Sequence, residues 1–379
     1  MSENPLLINA QSPLEIPIES VEKELSALWR NAASQQGTIV RACSCNVISV
    51  ARDRREADIL FPVLAMVSER YPCRSIVAYS EKEYDRTGCG GQPHMHAWIS
   101  AHCALPFSSG PQVCCEIIAV AAYAEAASNL HSTVASLLVS DLPVFVYWRS
   151  FSAAEQKLIE ELARFSHVLI VDSHVLKDDP HNRDRLFELL NGPPAGIAVR
   201  DLNWARLTVW RDLIAQFFDS PSTRHFLYEV SEVEIRRAVV PGSIPTRTLL
   251  LTGWLASRLG WKRISANRKG DEWISRWSGR GGEVVVRFIP ESFGSEQEAG
   301  INTVILMTRS GPTLTVTRQG TSSMTTSASQ KDRQLVHSVP QDEQDEGSLL
   351  VQELSLSGED PTFKEALAEA LALEKGFQT

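Results

Sequence analysis

Several apolar runs in the first half of the chain are too continuous for strands with one wet face. RSIVAYS at 74–80, VFVYW at 144–148 and HVLIVDS at 167–173 carry apolar residues at consecutive positions. Alternation marks a half-exposed strand, whereas a run like VFVYW needs cover on both faces, as in a parallel sheet enclosed by helices. The intervening sequence supplies that cover. Asp53 to Arg70 and Leu130 to Val139 have helical periodicity, and Ser152 with Glu155 forms a capping-box pattern before Leu158, Ile159, Leu162 and Phe165. Pro62 lies inside the first of these helices, where it kinks the helix or delays its start, and Tyr71-Pro72 ends it. TIVRACSCNVISV at 38–50 reads as one strand, and His94–Leu105 and Val113–Ala122 as others. This alternation predicts a layered, Rossmann-like α/β domain over residues 35–220. Residues 1–34 read as an extended arm and a short helix carrying Val21, Leu25, Leu28 and Trp29.

After Pro221 the pattern changes. A strand around Val230–Val239 and a helix from Ile244 to Leu259 precede DEWISRWS, EVVVRFIPE, INTVILMTR and TLTVTRQG, whose Gly-containing connectors suit hairpins. Residues 221–379 therefore form a smaller α+β domain with an antiparallel sheet. The polar stretch around 321–348 reads as loop or edge structure, and Phe363–Lys375 as a closing helix.

A net charge of -9 repels phosphate backbones, so nucleic acid is not an expected partner. The first residues lack the basic start and apolar core of a secretory leader. The most apolar stretch, Val113–Ala127, contains Glu116 and Glu125, so a membrane is not expected either and the location implied is cytoplasmic. All seven cysteines lie at or before Cys115, and an odd number in such a compartment points to reduced thiols.

No phosphate-binding loop, nucleophile elbow or HExxH is present, and no cofactor is expected. Gly88–Gly91 precedes a strand pattern rather than a helix, so it suits a hairpin loop better than a dinucleotide cradle. Cys89, His94, His96, His102 and Cys103 contain zinc-ligand chemistry, but Cys103 falls on the opposite strand face from His94 and His96. Asp172, His174, Asp178, Asp179, His181 and Asp184 follow a strand's carboxyl end, where α/β sheets bind ligands, and they equally suit a solvated helix entry. Residues 257–270 contain Arg258, Lys262, Arg263, Arg268 and Lys269 with no acid, a pattern that suits an anionic contact or a solvated turn.

Three stretches together resemble the OpcA family of glucose-6-phosphate dehydrogenase assembly proteins. They are Tyr71-Pro72-Cys73-Arg74 leading into a strand, HSTVASLLVSDLPVFVYWRS at 131–150, and DLNWARLTVWRDLIAQFFDSP at 201–221. The resemblance spans roughly 35–290 and implies a non-catalytic protein that promotes the active oligomer of that dehydrogenase. Trp and Arg are enriched at protein contacts. The candidate contact residues are therefore Trp148, Arg149, Trp204, Arg206, Arg211, Trp261, Lys262, Arg263, Arg268, Trp273 and Trp277. Trp210 shares core spacing with Leu207, Ile214 and Phe217 and reads as packed. The residues by themselves leave two alternatives, a sugar-phosphate enzyme using Asp172 or His174, and a scaffold for another partner.

Overall fold

The computed structural model describes residues 14–35, 39–81, 94–104, 112–150, 155–175, 188–189, 197–238, 244–270, 272–291, 300–320, 322–331, 333–341 and 344–378. The chain divides into two units. One comprises Met1–Leu176, Glu188–Leu202 and Asp345–Gly358; the other comprises Lys177–Phe187, Asn203–Gln344 and Glu359–Thr379. The main division thus lies at Leu202, ahead of the expected 220, and a late segment returns to the first unit.

The first unit contains β1 (Leu14–Ile16), α1 (Val21–Gln35), β2 (Ile39–Arg41), β3 (Cys45–Ala51), α2 (Arg54–Arg70), β4 (Cys73–Glu81), β5 (His94–Ala104) and β6 (Gln112–Tyr123). It continues with α3 (Leu130–Ser136), β7 (Val144–Trp148), α4 (Gln156–Ala163), β8 (Val168–Val171) and β9 (Ala198–Asp201). The sheet order is β1-β5-β6-β4-β3-β7-β8-β9, with β2 alongside β6. From β6 to β9 every neighbour is parallel. Numbered along the chain, those six strands stand third, second, first, fourth, fifth and sixth, the doubly wound order of dinucleotide-binding folds. β3 and β7 are buried along their whole length, as their unbroken apolar runs require. The stretch 38–50 is two strands rather than one. The chain leaves β6 at Ala42, whose N–H donates to the Cys114 carbonyl, and enters the sheet centre after Ser44, whose N–H donates to the Pro72 carbonyl. α2 runs through Pro62, which sits on its exposed side.

At the amino ends of these strands Arg74, from the Tyr-Pro-Cys-Arg stretch, is only 3% exposed. Its guanidinium donates to Glu116 at 2.5 Å, Glu22 at 2.6 Å and the Leu137 carbonyl at 2.5 Å. Glu116 also accepts from Trp29 at 3.0 Å and Arg41 at 2.7 Å. The motif thus ties α1, β4 and β6 together.

The expectation of seven reduced cysteines is corrected by a Cys103–Cys114 disulfide. The antiparallel register of β5 and β6 sets the two residues directly opposite, with their Cα atoms 4.0 Å apart. Cys45, Cys73 and Cys115 are buried thiols, and burial pushes Cys115 up to about 12.

The second unit holds α5 (Leu202–Ala205, beginning at the division), α6 (Thr208–Gln216), β10 (Val230–Ala238), α7 (Thr246–Leu259), β11 (Lys262–Lys269), β12 (Glu272–Gly279) and β13 (Gly282–Glu291). β14 (Ile301–Thr308), β15 (Thr313–Gln319), β16 (Ser323–Gln330) and β17 (Arg333–Pro340) follow. After β17 the chain supplies α8 (Glu346–Ser355) to the first unit and α9 (Pro361–Gln378) to the second. The eight strands run β11-β12-β13-β10-β14-β15-β16-β17. The sheet is antiparallel except where β10 pairs β13 in parallel, a pairing that the intervening α7 makes reachable. Burial alternates with period two, so Val286, Val233, Leu306, Leu314 and Met324 lie on the covered face. α7 packs against α9 at Gly253, where a Cβ would lie 2.0 Å from the Ala366 carbonyl oxygen.

Two local expectations are resolved here, one changed and one narrowed to its edge alternative. The basic stretch 257–270 is not a loop: Gly260, in the left-handed region at φ 62°, closes α7, and the chain enters edge strand β11. The polar stretch 321–348 is an edge hairpin followed by the start of α8, which Asp345 caps by accepting from the Ser348 N–H at 2.7 Å.

Candidate functional site

In open α/β sheets ligands bind at the carboxyl ends of the strands where the winding reverses, here between β3 and β7. β7 presents Tyr147, Trp148 and Arg149 at that point, and α2 presents its first turn. The Arg149 guanidinium donates to both Glu346 oxygens at 3.2 Å and lies 3.6 Å from Glu56. Tyr147 donates its hydroxyl to Glu346 at 2.8 Å. Burial pushes the Tyr147 phenol well above its usual range, reinforced by the nearby Asp172 and Glu346 carboxylates. Burial works against the Arg149 charge, but Glu346, Tyr147 and Glu56 together outweigh it and hold the guanidinium above its usual range. Trp148 donates Nε1 to Glu155 at 2.8 Å, and Ser150 donates to the same oxygen at 2.5 Å. Glu155 therefore receives side-chain donors here and caps nothing through its side chain. Ser152, its expected capping-box partner, lies outside the described residues.

A dinucleotide would place its pyrophosphate on the N-terminus of α2, cradled by glycines. This turn reads Ala51-Arg52-Asp53-Arg54-Arg55-Glu56 and contains no glycine. Asp53 accepts from the Glu56 N–H at 3.0 Å, and Glu56 accepts from the Arg52 N–H at 2.7 Å. Two carboxylates of the chain itself thus stand where phosphates would, and the residues do not fit a dinucleotide. A cavity of about 190 Å³ beside Ala51, Ser80, Leu130, His131, Glu155 and Leu158 is smaller than the roughly 300 Å³ at which ligand pockets begin. After β8, Asp172 accepts from the His174 N–H at 3.0 Å, and Asp201 accepts the Ser173 N–H at 3.0 Å and its hydroxyl at 2.6 Å. Asp178, Asp179, His181, Asp184, Cys89 and Gly88–Gly91 lie outside the described residues. Cys103 is spent in its disulfide and offers no thiolate to His94 or His96, and His96 pairs with Glu15 at 2.7 Å.

The Glu56 N–H donation holds the Asp53 carboxyl below its ordinary value. A depressed acid adds stability above its unfolded value near about 3.9 and loses it as pH falls through the folded value. Asp53→Ala is therefore expected to cost about 1 kcal/mol at pH 7. In paired thermal melts the gap from the parent chain closes below about pH 4, and a gap unchanged at pH 3 would show that the carboxylate is not its source.

Residues 65–188 match the family described as the glucose-6-phosphate dehydrogenase subunit N-terminal domain, and residues 197–367 the C-terminal domain of the same subunit. The chain belongs to the OpcA family. Among its relatives, one from Nostoc punctiforme, provisionally named OxPP cycle protein OpcA, is 33% identical over 55% of this chain and 43% of its own length. A namesake from Synechococcus elongatus is 30% identical over 56% of this chain and 45% of its own. The matches thus span under half the length of these relatives. The transcriptional regulator Gal80p from Kluyveromyces lactis is similar in fold, with a TM-score of 0.51 at 9% identity over 92% of this chain and 95% of its own. An oxidoreductase domain protein from Kribbella flavida has a TM-score of 0.51 at 10% identity over 89% of this chain and 98% of its own.

The candidate contact residues of this OpcA-family chain are distributed between core and surface. Of the candidates, Trp148, Trp204, Trp261 and Trp277 are all buried, as is Trp210, whose spacing placed it in the core. Trp204 donates to Asp360 at 2.8 Å beneath the Arg211 guanidinium, 3.5 Å from the ring centre. Trp261 and Trp277 pack together under the second sheet, their ring centres 6.5 Å apart. Trp273 meets Phe377 edge-on at 5.0 Å and carries Arg268 over its ring at 4.7 Å. Arg149 belongs to the first unit's carboxyl-end network, and Arg206 is half-buried in the second unit. Lys262, Arg263 and Arg268 are exposed along β11. Sequence reasoning missed Glu56 and Glu346. The Asp-x-x-Glu spacing of Asp53 and Glu56 was a legible signal, whereas Glu346 meets Arg149 only through the tertiary fold.

Proposed function

We propose that this chain is a non-catalytic cytoplasmic protein that binds glucose-6-phosphate dehydrogenase and promotes its assembly and activity in the oxidative pentose phosphate pathway. The observation that carries the non-catalytic reading is the capping of the α2 N-terminus by Asp53, with Glu56 beside it, where a working dinucleotide fold receives phosphate. The choice of partner is supported by the family description, which names a subunit of that dehydrogenase. On the partner-facing side the exposed cations Lys262, Arg263 and Arg268 of β11 suit an acidic surface, since rim charges steer association.

The test titrates the purified chain into the dehydrogenase from the same cells, following NADPH formation and complex mass. A saturable rise in rate with a co-eluting complex is expected, together with no turnover by the chain alone. No change in rate and no complex, or turnover of a sugar phosphate by the isolated chain, would overturn the reading. With Arg263→Glu and Arg268→Glu together, the activation midpoint is expected to rise at low salt and approach the parent's at high salt.

A further inference from the structure

The second unit's sheet has one covered face, where Phe377 of α9 meets Phe288, while the other keeps solvent contact along its middle. One row crosses six strands on that open face: Arg287, Glu234, Ile305, Thr315, Ser327 and Val336. The first five are partly exposed, and Val336, on edge strand β17, is 53% exposed. We propose that this face is where a second copy of the chain packs, sheet against sheet across a two-fold axis.

Three observations select a copy of the chain as the occupant. A symmetric contact must be complementary to itself, because each residue meets its partner twice in exchanged roles. The outer strands of this face present hydroxyl rows, in which Thr303 and Thr317 already meet at 3.4 Å. A hydroxyl donates as well as accepts, so such a row matches its own symmetry mate. The charges on the central strands are balanced: Arg236 pairs with Glu234 at 2.5 Å and Arg287 with Glu232 at 2.6 Å. A chain of net charge -9 resists meeting itself elsewhere, and this face spares it that repulsion. The size also fits. Six strands about 4.8 Å apart, each offering three outward residues about 6.8 Å apart, make a patch of about 600 Å², approaching the roughly 800 Å² per partner of a stable interface.

The test measures the mass of the full chain by light scattering across a dilution series, for the parent, Thr315→Arg and Val336→Asp. The parent is expected to run at twice the monomer mass, and each variant to weaken the dimer at least tenfold while melting as a cooperative fold. Val336 is exposed enough that its substitution leaves folding intact even if the Thr315 variant fails to fold. A parent that is monomeric at every concentration, or a dimer unaffected by both variants, overturns the proposal. So does a monomeric parent whose Thr315→Arg variant loses only the dehydrogenase, which would assign the face to that enzyme. The proposal is independent of activation, because a dimer that never stimulates the dehydrogenase would still support it.

Discussion

Arg149→Ala is expected to lower the stability of the first unit by about 3 kcal/mol or more, because it strands Glu346 and Glu56 in a site that water scarcely reaches. In the parent the single guanidinium serves both carboxylates, with Glu56 only 5% exposed, and Tyr147 adds a phenol that stays protonated. A loss of that size lowers the melting temperature by roughly 6–12 °C for a unit of this size. Glu346→Gln in the same chain should restore part of it, since the remaining amide costs far less to bury than an unpaired charge. The loss from both changes together is then smaller than the sum of the two separate losses. A cost under about 1 kcal/mol, typical of exposed pairs, would show that solvent screens the network and that it does not close the carboxyl end of the sheet.

Gly253→Ala should be at least as damaging in the second unit, although alanine is favoured over glycine inside a helix by about 1 kcal/mol. The added Cβ would stand 2.0 Å from the Ala366 oxygen and 2.9 Å from the Ala370 nitrogen, both backbone atoms that no rotamer change can move aside. Either α9 shifts bodily or the contact opens, for a net cost of about 3 kcal/mol. Thermal melting read by tryptophan fluorescence suits this test, since Trp261 and Trp277 lie beneath the same sheet. A stabilised variant would mean that the two helices have slack at this crossing.

What the sequence disclosed depended on whether local pattern and tertiary role agreed. VFVYW is buried on both faces and becomes a central strand; the doubly wound order that follows needed the register, which no single run contains. β17 and α8 sit in polar sequence because one is exposed along nearly its whole length and the other turns only part of its surface inward. Their composition therefore resembles a loop. The tryptophans mislead for a related reason: the bulk and single N–H that suit a contact also suit a core position with one buried acceptor. Trp148 finds that acceptor in Glu155, and Trp204 finds it in Asp360. Arg74 shows the same ambiguity for charge, since a cation in a family motif can be a tie between strands and helices.

The late return of the chain to its first unit also governs how the protein is made. Glu346 lies 197 residues after Arg149, and the α8 residues that meet Arg200, Glu353 and Leu356, follow it by 153 and 156 positions. During synthesis the carboxyl end of the first sheet thus waits, without the Glu346 carboxylate and the α8 carbonyls that Arg149 and Arg200 meet, until nearly the whole second unit has left the ribosome. Closing so long a loop slows the step that completes the first unit. A nascent chain halted before α8 would expose that end to proteases and chaperones, and a fragment cut at Leu202 would resemble this stalled intermediate more than an independent domain.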